Sequence, residues 1–136
     1  MSQENLEVVR RALEAWQRGD LDTWLSAYDP AIEWHPALER IVGGMENSYR
    51  GIDGLREAWS MYRSELEDFH NEAQELRDVD KDRVVLLGEM RWRGAASGID
   101  MGSPVGMVVT LRDGKIVHSI DYLSHEEALE AVGLRE

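Results

Sequence analysis

Leu6, Val9, Leu13 and Trp16 recur at helical spacing near the start of the chain, and Glu4, Glu7, Arg11, Glu14 and Arg18 fall between them. This pattern predicts a first helix with one buried stripe. Gly19 can take the left-handed conformation that ends a helix, and Asp20 can accept the free N–H groups of the next one. Leu21, Trp24, Leu25 and Tyr28 repeat the helical spacing. Asp29-Pro30 then stops the second helix, because proline has no donor and disfavours the helical region for the residue before it. The period drops to two in Ala31-Ile32-Glu33-Trp34-His35-Pro36, a strand whose Glu33 and His35 share one face. Ala37 to Arg50 carries Gly43-Gly44 and no clear period, so it reads as a long loop and a candidate lid. Ile52, Leu55, Trp59, Tyr62 and Leu66 mark a third helix, roughly Asp53 to Asp68.

The second half alternates. A weak strand around Asn71–Asp78 precedes a turn at Asp80-Lys81-Asp82 and a stronger strand, Arg83–Arg93, with Val84, Leu86, Gly88, Met90 and Trp92 on one face. Ala95–Gly98 is a loop, Met101–Leu111 the next strand, and Arg112-Asp113-Gly114 a hairpin turn feeding Lys115–Leu123. Ser124 with Glu127 three residues on forms a capping box, so a short amphipathic helix begins there and ends at Gly133, with Leu134 behind it as an apolar clasp.

Composition narrows the classes. A chain of 136 residues, 43% hydrophobic and 31% charged, makes one domain over 1–136 with room for a real core. A formal charge of −12 repels phosphate backbones and anionic lipid, so neither nucleic acid nor a membrane surface is an expected partner. No apolar run approaches the ~20 residues of a membrane span, and MSQENLEVV lacks the pattern of a signal peptide, which makes a cytoplasmic location the expectation. The absence of cysteine excludes disulfides, thiolate nucleophiles and cysteine-ligated metals.

Three segments together, GDLDTWLSAYDPAIEWHP, YRGIDGLREAW and LRDGKIVHSIDYLSHEEALEAVGL, resemble the SnoaL-like branch of the nuclear transport factor two superfamily, over nearly the whole chain. The resemblance implies an α+β fold, a curved antiparallel sheet wrapped around a cone-shaped pocket closed by the N-terminal helices. It does not settle chemistry, since the superfamily includes ketosteroid isomerases, dehydratases, epoxide hydrolases and polyketide cyclases beside proteins that only bind or dimerise.

Set against the ketosteroid isomerases, which combine an aspartate base with a tyrosine and a protonated aspartate as donors, the resemblance puts His35 at the place of the base. The tyrosine falls on Ala12 and the second aspartate near Met107, so both donors to a developing oxyanion are absent. Steroid isomerisation of that type is therefore rejected. The same alignment points Val117, Ser119, Asp121 and Leu123 inward on the final strand, beside Met90 and Trp92. Polyketide cyclases of the family resemble that arrangement, with an acid or histidine removing a carbon-bound proton without metal or cofactor. A His35–Asp121 pair is the candidate catalytic unit, with Glu33 as the other possible partner of His35. Tyr28, Trp59, Tyr62, Met90, Trp92, Met107 and Ser119 are the candidate ligand contacts.

Each residue also has a plainer reading. His35 can be a satisfied structural group, Asp121 can cap a helix or pair with an arginine, and the large apolar side chains sit at core spacing. His125-Glu126-Glu127-Ala128-Leu129 begins like a zinc-protease helix, but Leu129 stands where the second histidine must be. Ser97 lacks the flanking glycines of a nucleophile elbow, and His70, His118 and His125 lack ligand spacing, so no metal is expected. Gly51, Gly54 and Gly94 do not assemble a phosphate loop, and no nucleotide cofactor is expected either. Two functions stay open: a cofactor-free proton-transfer enzyme of isomerase, cyclase or hydrolase type acting on a small apolar molecule, with His35 as candidate base, or a non-catalytic small-molecule-binding or dimerisation module. The alternation of the last strands adds a homodimer through the outer sheet face, around His118, Ile120 and Tyr122.

Overall fold

The helical stripe from Leu6 to Trp16 forms α1 (Ser2–Arg18), which Gly19 ends at a φ of +76°. Asp20 then caps α2 (Leu21–Ser26), its Oδ1 accepting from the Thr23 backbone N–H at 3.1 Å. The computed structural model describes residues 2–41, 46–94 and 97–134. Helix α2 stops before Asp29-Pro30, and Tyr28, expected on its last turn, instead opens β1 (Tyr28–His35). Proline is tolerated in β1 because the pairing of this strand shifts register between Tyr28 and Glu33, where no ladder donor is needed.

Of the segment read as a lid, Gly43-Gly44 lies outside the described residues. Leu38–Arg40 makes a 3-10 turn and Tyr49–Arg50 the two-residue strand β2, paired with Glu33 and Trp34. Ala37, Leu38 and Tyr49 are buried, so both ends of the segment are anchored in the fold. Helix α3 covers Gly51–Glu65, shorter than its apolar spacing implied. Leu66 completes that spacing but already belongs to β3 (Leu66–Asp78), where pairing with Gly94 of the next strand satisfies its backbone. A strand expected only from Asn71 therefore starts five residues earlier, with a bulge between Glu67 and His70 and a left-handed Asp68 at φ +54°.

Strands β4 (Arg83–Gly94), β5 (Asp100–Arg112) and β6 (Lys115–Tyr122) follow as successive antiparallel neighbours. The sheet order is β2-β1-β6-β5-β4-β3. It is mixed rather than wholly antiparallel, because β1 lies parallel to β6, with Glu33 opposite His118, Trp34 opposite Ser119 and His35 opposite Ile120. Helices α1 to α3 cover one face around Val9, Trp16, Leu55, Tyr62, Leu86 and Met90. On the other face α4 (His125–Ala131), capped by Ser124, packs Ala128 and Leu129 against Val85, Leu87 and Val108. Gly106 permits this approach, since a Cβ there would meet the Ala128 Cβ at 2.5 Å. Among the described residues no helix is long and apolar enough to cross a membrane.

Arg63 of α3 holds the end of α1. Its guanidinium lies 3.6 Å from the Trp59 ring centroid and 4.7 Å from that of Trp16, and Nη2 donates to the Trp16 carbonyl at 2.6 Å. Arg63→Ala removes both interactions and should cost about 2 kcal/mol of unfolding free energy. Arg63→Lys should recover part of it by keeping the charge, as urea titration of the two variants will measure; full recovery in Arg63→Lys would contradict the planar stacking, and equal losses in both would contradict the contribution of the charge.

Candidate functional site

Between the helices and the sheet lies a cavity of about 80 Å³. Helix α1 supplies Val9, Ala12, Leu13 and Trp16 to its wall, and the other helices add Trp24 and Tyr62. The strands contribute Tyr28, Trp34, Phe69, Asn71, Met90, Met107, Val109, Ile116, Ser119 and Asp121. The wall is mostly apolar, so its few polar atoms stand out.

Asp121 is the most consequential of them. It faces inward because β6 alternates Ser119 and Asp121 toward the cavity with His118 and Ile120 away from it, and it stands opposite Met107 on β5. Its side chain is buried, at 4% exposure. Trp34 Nε1 donates to Oδ2 at 3.2 Å, whereas Oδ1 has no hydrogen-bond partner among the described residues. Burial pushes the carboxyl up to about 7, the Trp34 bond opposing that rise and the nearby Glu39 carboxylate adding to it. The Tyr62 and Tyr28 hydroxyls are pushed upward as well, first by burial and next by the charge of Asp121, and so stay protonated donors.

Two further polar atoms on the same wall, Trp16 Nε1 and Asn71 Oδ1, are buried without partners among the described residues. Asn71 is fixed through its backbone, whose carbonyl accepts from Gln17 Nε2 and whose N–H donates to Gln17 Oε1 at 3.3 Å. The cavity thus offers one acid with a free oxygen, an indole donor and an amide, set among rings and methionines. An arrangement of this kind can exchange a proton with a bound molecule and hold one of its oxygens.

The fold brings six of the expected site residues to the cavity: Tyr28, Tyr62, Met90, Met107, Ser119 and Asp121. It leaves four outside. Glu33 and His35 do share a face, but that face is the outer one, because apolar Ile32 and Trp34 take the inward positions of β1. His35 packs against His118, their ring centroids 5.3 Å apart, and its Nε2 lies 3.5 Å from Glu33 Oε1 rather than beside Asp121. His35 and Asp121 do border a common surface depression with Pro36, Glu39 and Ile120, separate from the cavity. Trp59 is held between Trp16, Trp24 and Arg63, and Trp92 is buried against Phe69, 6.4 Å away between centroids. Val117 was expected to point inward; the bulge between Thr110 and Leu111 brings Ile116 to the wall instead.

Trp34, Trp16 and Asn71 are polar residues of the cavity wall that the sequence pattern does not single out. Trp34 had a signal, since an apolar residue alternating with Glu33 and His35 belongs on the buried face. Trp16 was legible as core but not as a donor, and nothing in the sequence marked Asn71. Ala12 and Met107, where ketosteroid isomerases resembling this chain have donors, line the cavity as apolar residues.

A family model described as a SnoaL-like domain matches residues 9–119. No curated protein matches the sequence. Among solved structures the chain is similar to an NTF2-like protein of unknown function from Burkholderia pseudomallei K96243, at 21% identity over 96% of this chain and 98% of that one, with a TM-score of 0.79. It is similar to TerC, co-crystallized with polyporic acid, at 21% identity over 95% and 98% and a TM-score of 0.78. It is also similar to a putative SnoaL-like polyketide cyclase from Jannaschia sp. CCS1, at 17% identity over 88% and 85%, TM-score 0.72. At these identities the likeness is one of fold.

The buried acid makes stability depend on pH in a definite sense. Because folding raises Asp121 from 3.8 to about 7, the folded chain holds this proton more tightly than the unfolded chain between those values. The contribution of the group is complete below about pH 4 and declines as pH rises to about 7. Asp121→Asn has no charge to bury, so it should exceed the parent in stability by about 2–4 kcal/mol at alkaline pH and lose that advantage in acid. Urea unfolding of both proteins at the two extremes will show this; a variant weaker than the parent at alkaline pH would contradict it.

Proposed function

The chain belongs to the SnoaL-like domain family, and from that premise we propose that it is a proton-transfer enzyme working without a cofactor on a small apolar molecule, with Asp121 moving the proton. One observation carries this reading: a buried carboxyl, raised to about 7, presents an unpartnered oxygen to an apolar cavity while Trp34 holds the other oxygen. Burying an ionisable group in this way weakens the fold, and such costs concentrate at functional sites. The catalytic role expected of His35 passes to Asp121, since the imidazole is on the other side of the sheet.

The chemistry follows from the donors. Near neutrality Asp121 is divided between its two forms, so its carboxylate can take a proton from carbon next to a carbonyl and its acid can return one. The electron pair moves to the carbonyl oxygen, for which Trp16 Nε1 and the protonated Tyr28 and Tyr62 hydroxyls are the available donors. The cavity has about half the volume of one that holds benzene, so a ring enters only if side chains yield. Met90 and Met107 on the wall are the flexible ones. The likeness to a putative polyketide cyclase makes an oxygenated ring compound the class to test first.

A binding module is the second reading, and the apolar Ala12 and Met107 favour it, because they leave any developing oxyanion fewer fixed donors. Small cyclic ketones such as cyclohex-2-enone and 2-tetralone in deuterated water separate the two. The enzyme reading expects loss of the α-proton NMR signal to be accelerated by the protein, with a rate that rises through about pH 7 as the Asp121 base forms. Asp121→Asn should slow it by at least about 100-fold. Exchange at the parent rate in that variant overturns the assignment, and tryptophan quenching by these ketones without any exchange supports the binding module.

The proposal includes a homodimer through the half of the outer face that α4 leaves open. Tyr122 packs against the α4 cluster, so Ile120 is the apolar residue a second copy would meet there, beside His118. Light scattering at micromolar concentration should give about twice the chain mass of 15.5 kDa, and the mass of one chain would remove the dimer.

A further inference from the structure

The outer face of β1 and β6 carries a cluster that the proposed reaction does not use. Parallel pairing puts His118 directly opposite Glu33, and His35 follows two residues along β1 on the same face. One nitrogen from each imidazole and one carboxylate oxygen of Glu33 lie within 4.8 Å of one another. Arg50, which pairs with Glu33 across β1 and β2, places Nη1 3.5 Å from Glu33 Oε2. The other oxygen, Oε1, is thereby left facing His35 Nε2 at 3.5 Å.

We propose that Glu33, His35 and His118 bind one divalent transition-metal ion, of which Zn²⁺ is the best match. Two imidazoles with one carboxylate suit zinc and its neighbours in the first row, whereas calcium and magnesium take oxygen ligands. Ligands at zinc bond lengths in a tetrahedron stand roughly 3.4 Å apart. The Glu33–His35 spacing of 3.5 Å already meets this, and the 4.8 Å limit of the set asks only small side-chain rotations of His118. Arg50 supplies the outer partner that orients a ligating carboxylate. In the single chain the side chains of His35 and Glu33 are 35% and 38% exposed, which gives an ion a path from solvent; its fourth position is left to water, or to a group of the second copy in the proposed dimer. The ion ties β1 to β6 across their parallel junction, a geometry the unfolded chain lacks, so binding stabilises the fold.

The test uses the full chain without a histidine tag. Calorimetry with Zn²⁺ should give one ion per chain, Co²⁺ should develop visible absorption, and Zn²⁺ should raise the melting temperature. His118→Ala and His35→Ala should weaken binding by more than about tenfold and abolish the thermal shift, and Arg50→Ala should weaken it within about 10–100-fold. His70→Ala, which removes a surface histidine paired with Glu72, should change nothing. His118→Gln keeps the bulk and polarity should the alanine variant fail to fold. The proposal is overturned if no saturable site with one ion per chain is found, if binding survives both His118 variants, or if His70→Ala weakens it equally.

Discussion

The packing of Trp16 is the constraint on which most of the structure rests. Its ring, 5% exposed, meets Trp24, Trp34, Trp59, Tyr62 and Phe69 at centroid distances between 5.0 and 6.4 Å, mostly edge to face. Those partners come from α2, β1, α3 and β3, so one side chain ties the first helix to four other elements. Each such pair adds about 0.5–1.5 kcal/mol beyond the area it buries. All of these rings except Trp59 also form the wall of the cavity, and stability and cavity are thus built from common parts.

Asp121 is the local exception to that apolar packing. Its carboxyl is excluded from water with a single donor, Trp34, to compensate, so folding favours the protonated form. A larger set of hydrogen bonds would have returned it to the ordinary carboxylate range and made it an inert anion. One bond fixes its orientation and leaves an oxygen for a bound molecule, which is what an acid–base group near neutrality requires. Trp34 therefore links the aromatic cluster to the buried acid, its ring packed against Trp16 and Tyr62 while its N–H holds the carboxyl.

The two faces of β1 and β6 are chemically separate because side chains alternate along a strand. Trp34, Ser119 and Asp121 serve the cavity, and Glu33, His35 and His118 gather on the far side. A one-residue difference in position decides which face a residue joins, and this is why Trp34 lines the cavity and His35, adjacent to it in sequence, does not.

The amphipathic stripe of α1, its end at Gly19, the Asp20 and Ser124 caps and the alternation of β4 and β5 were determined by sequence alone, because each rests on a pattern within a few residues. The family and its fold were likewise legible in short motifs, and the inward places of Asp121, Ser119 and Met90 followed from strand parity and resemblance. Beyond that range local pattern fails. The start of β3 at Leu66 depends on a partner in β4, and the inward place of Ile116 on a bulge between two strands. Asn71 stands on the cavity wall opposite Met90 of β4, a register that no local pattern in β3 sets. The grouping of His118 with Glu33 and His35 arose only when β1 docked parallel to β6, since no spacing along one strand encodes a contact between residues 85 positions apart. Tertiary structure decided these because a strand presents two faces, and only its neighbours determine which one is buried.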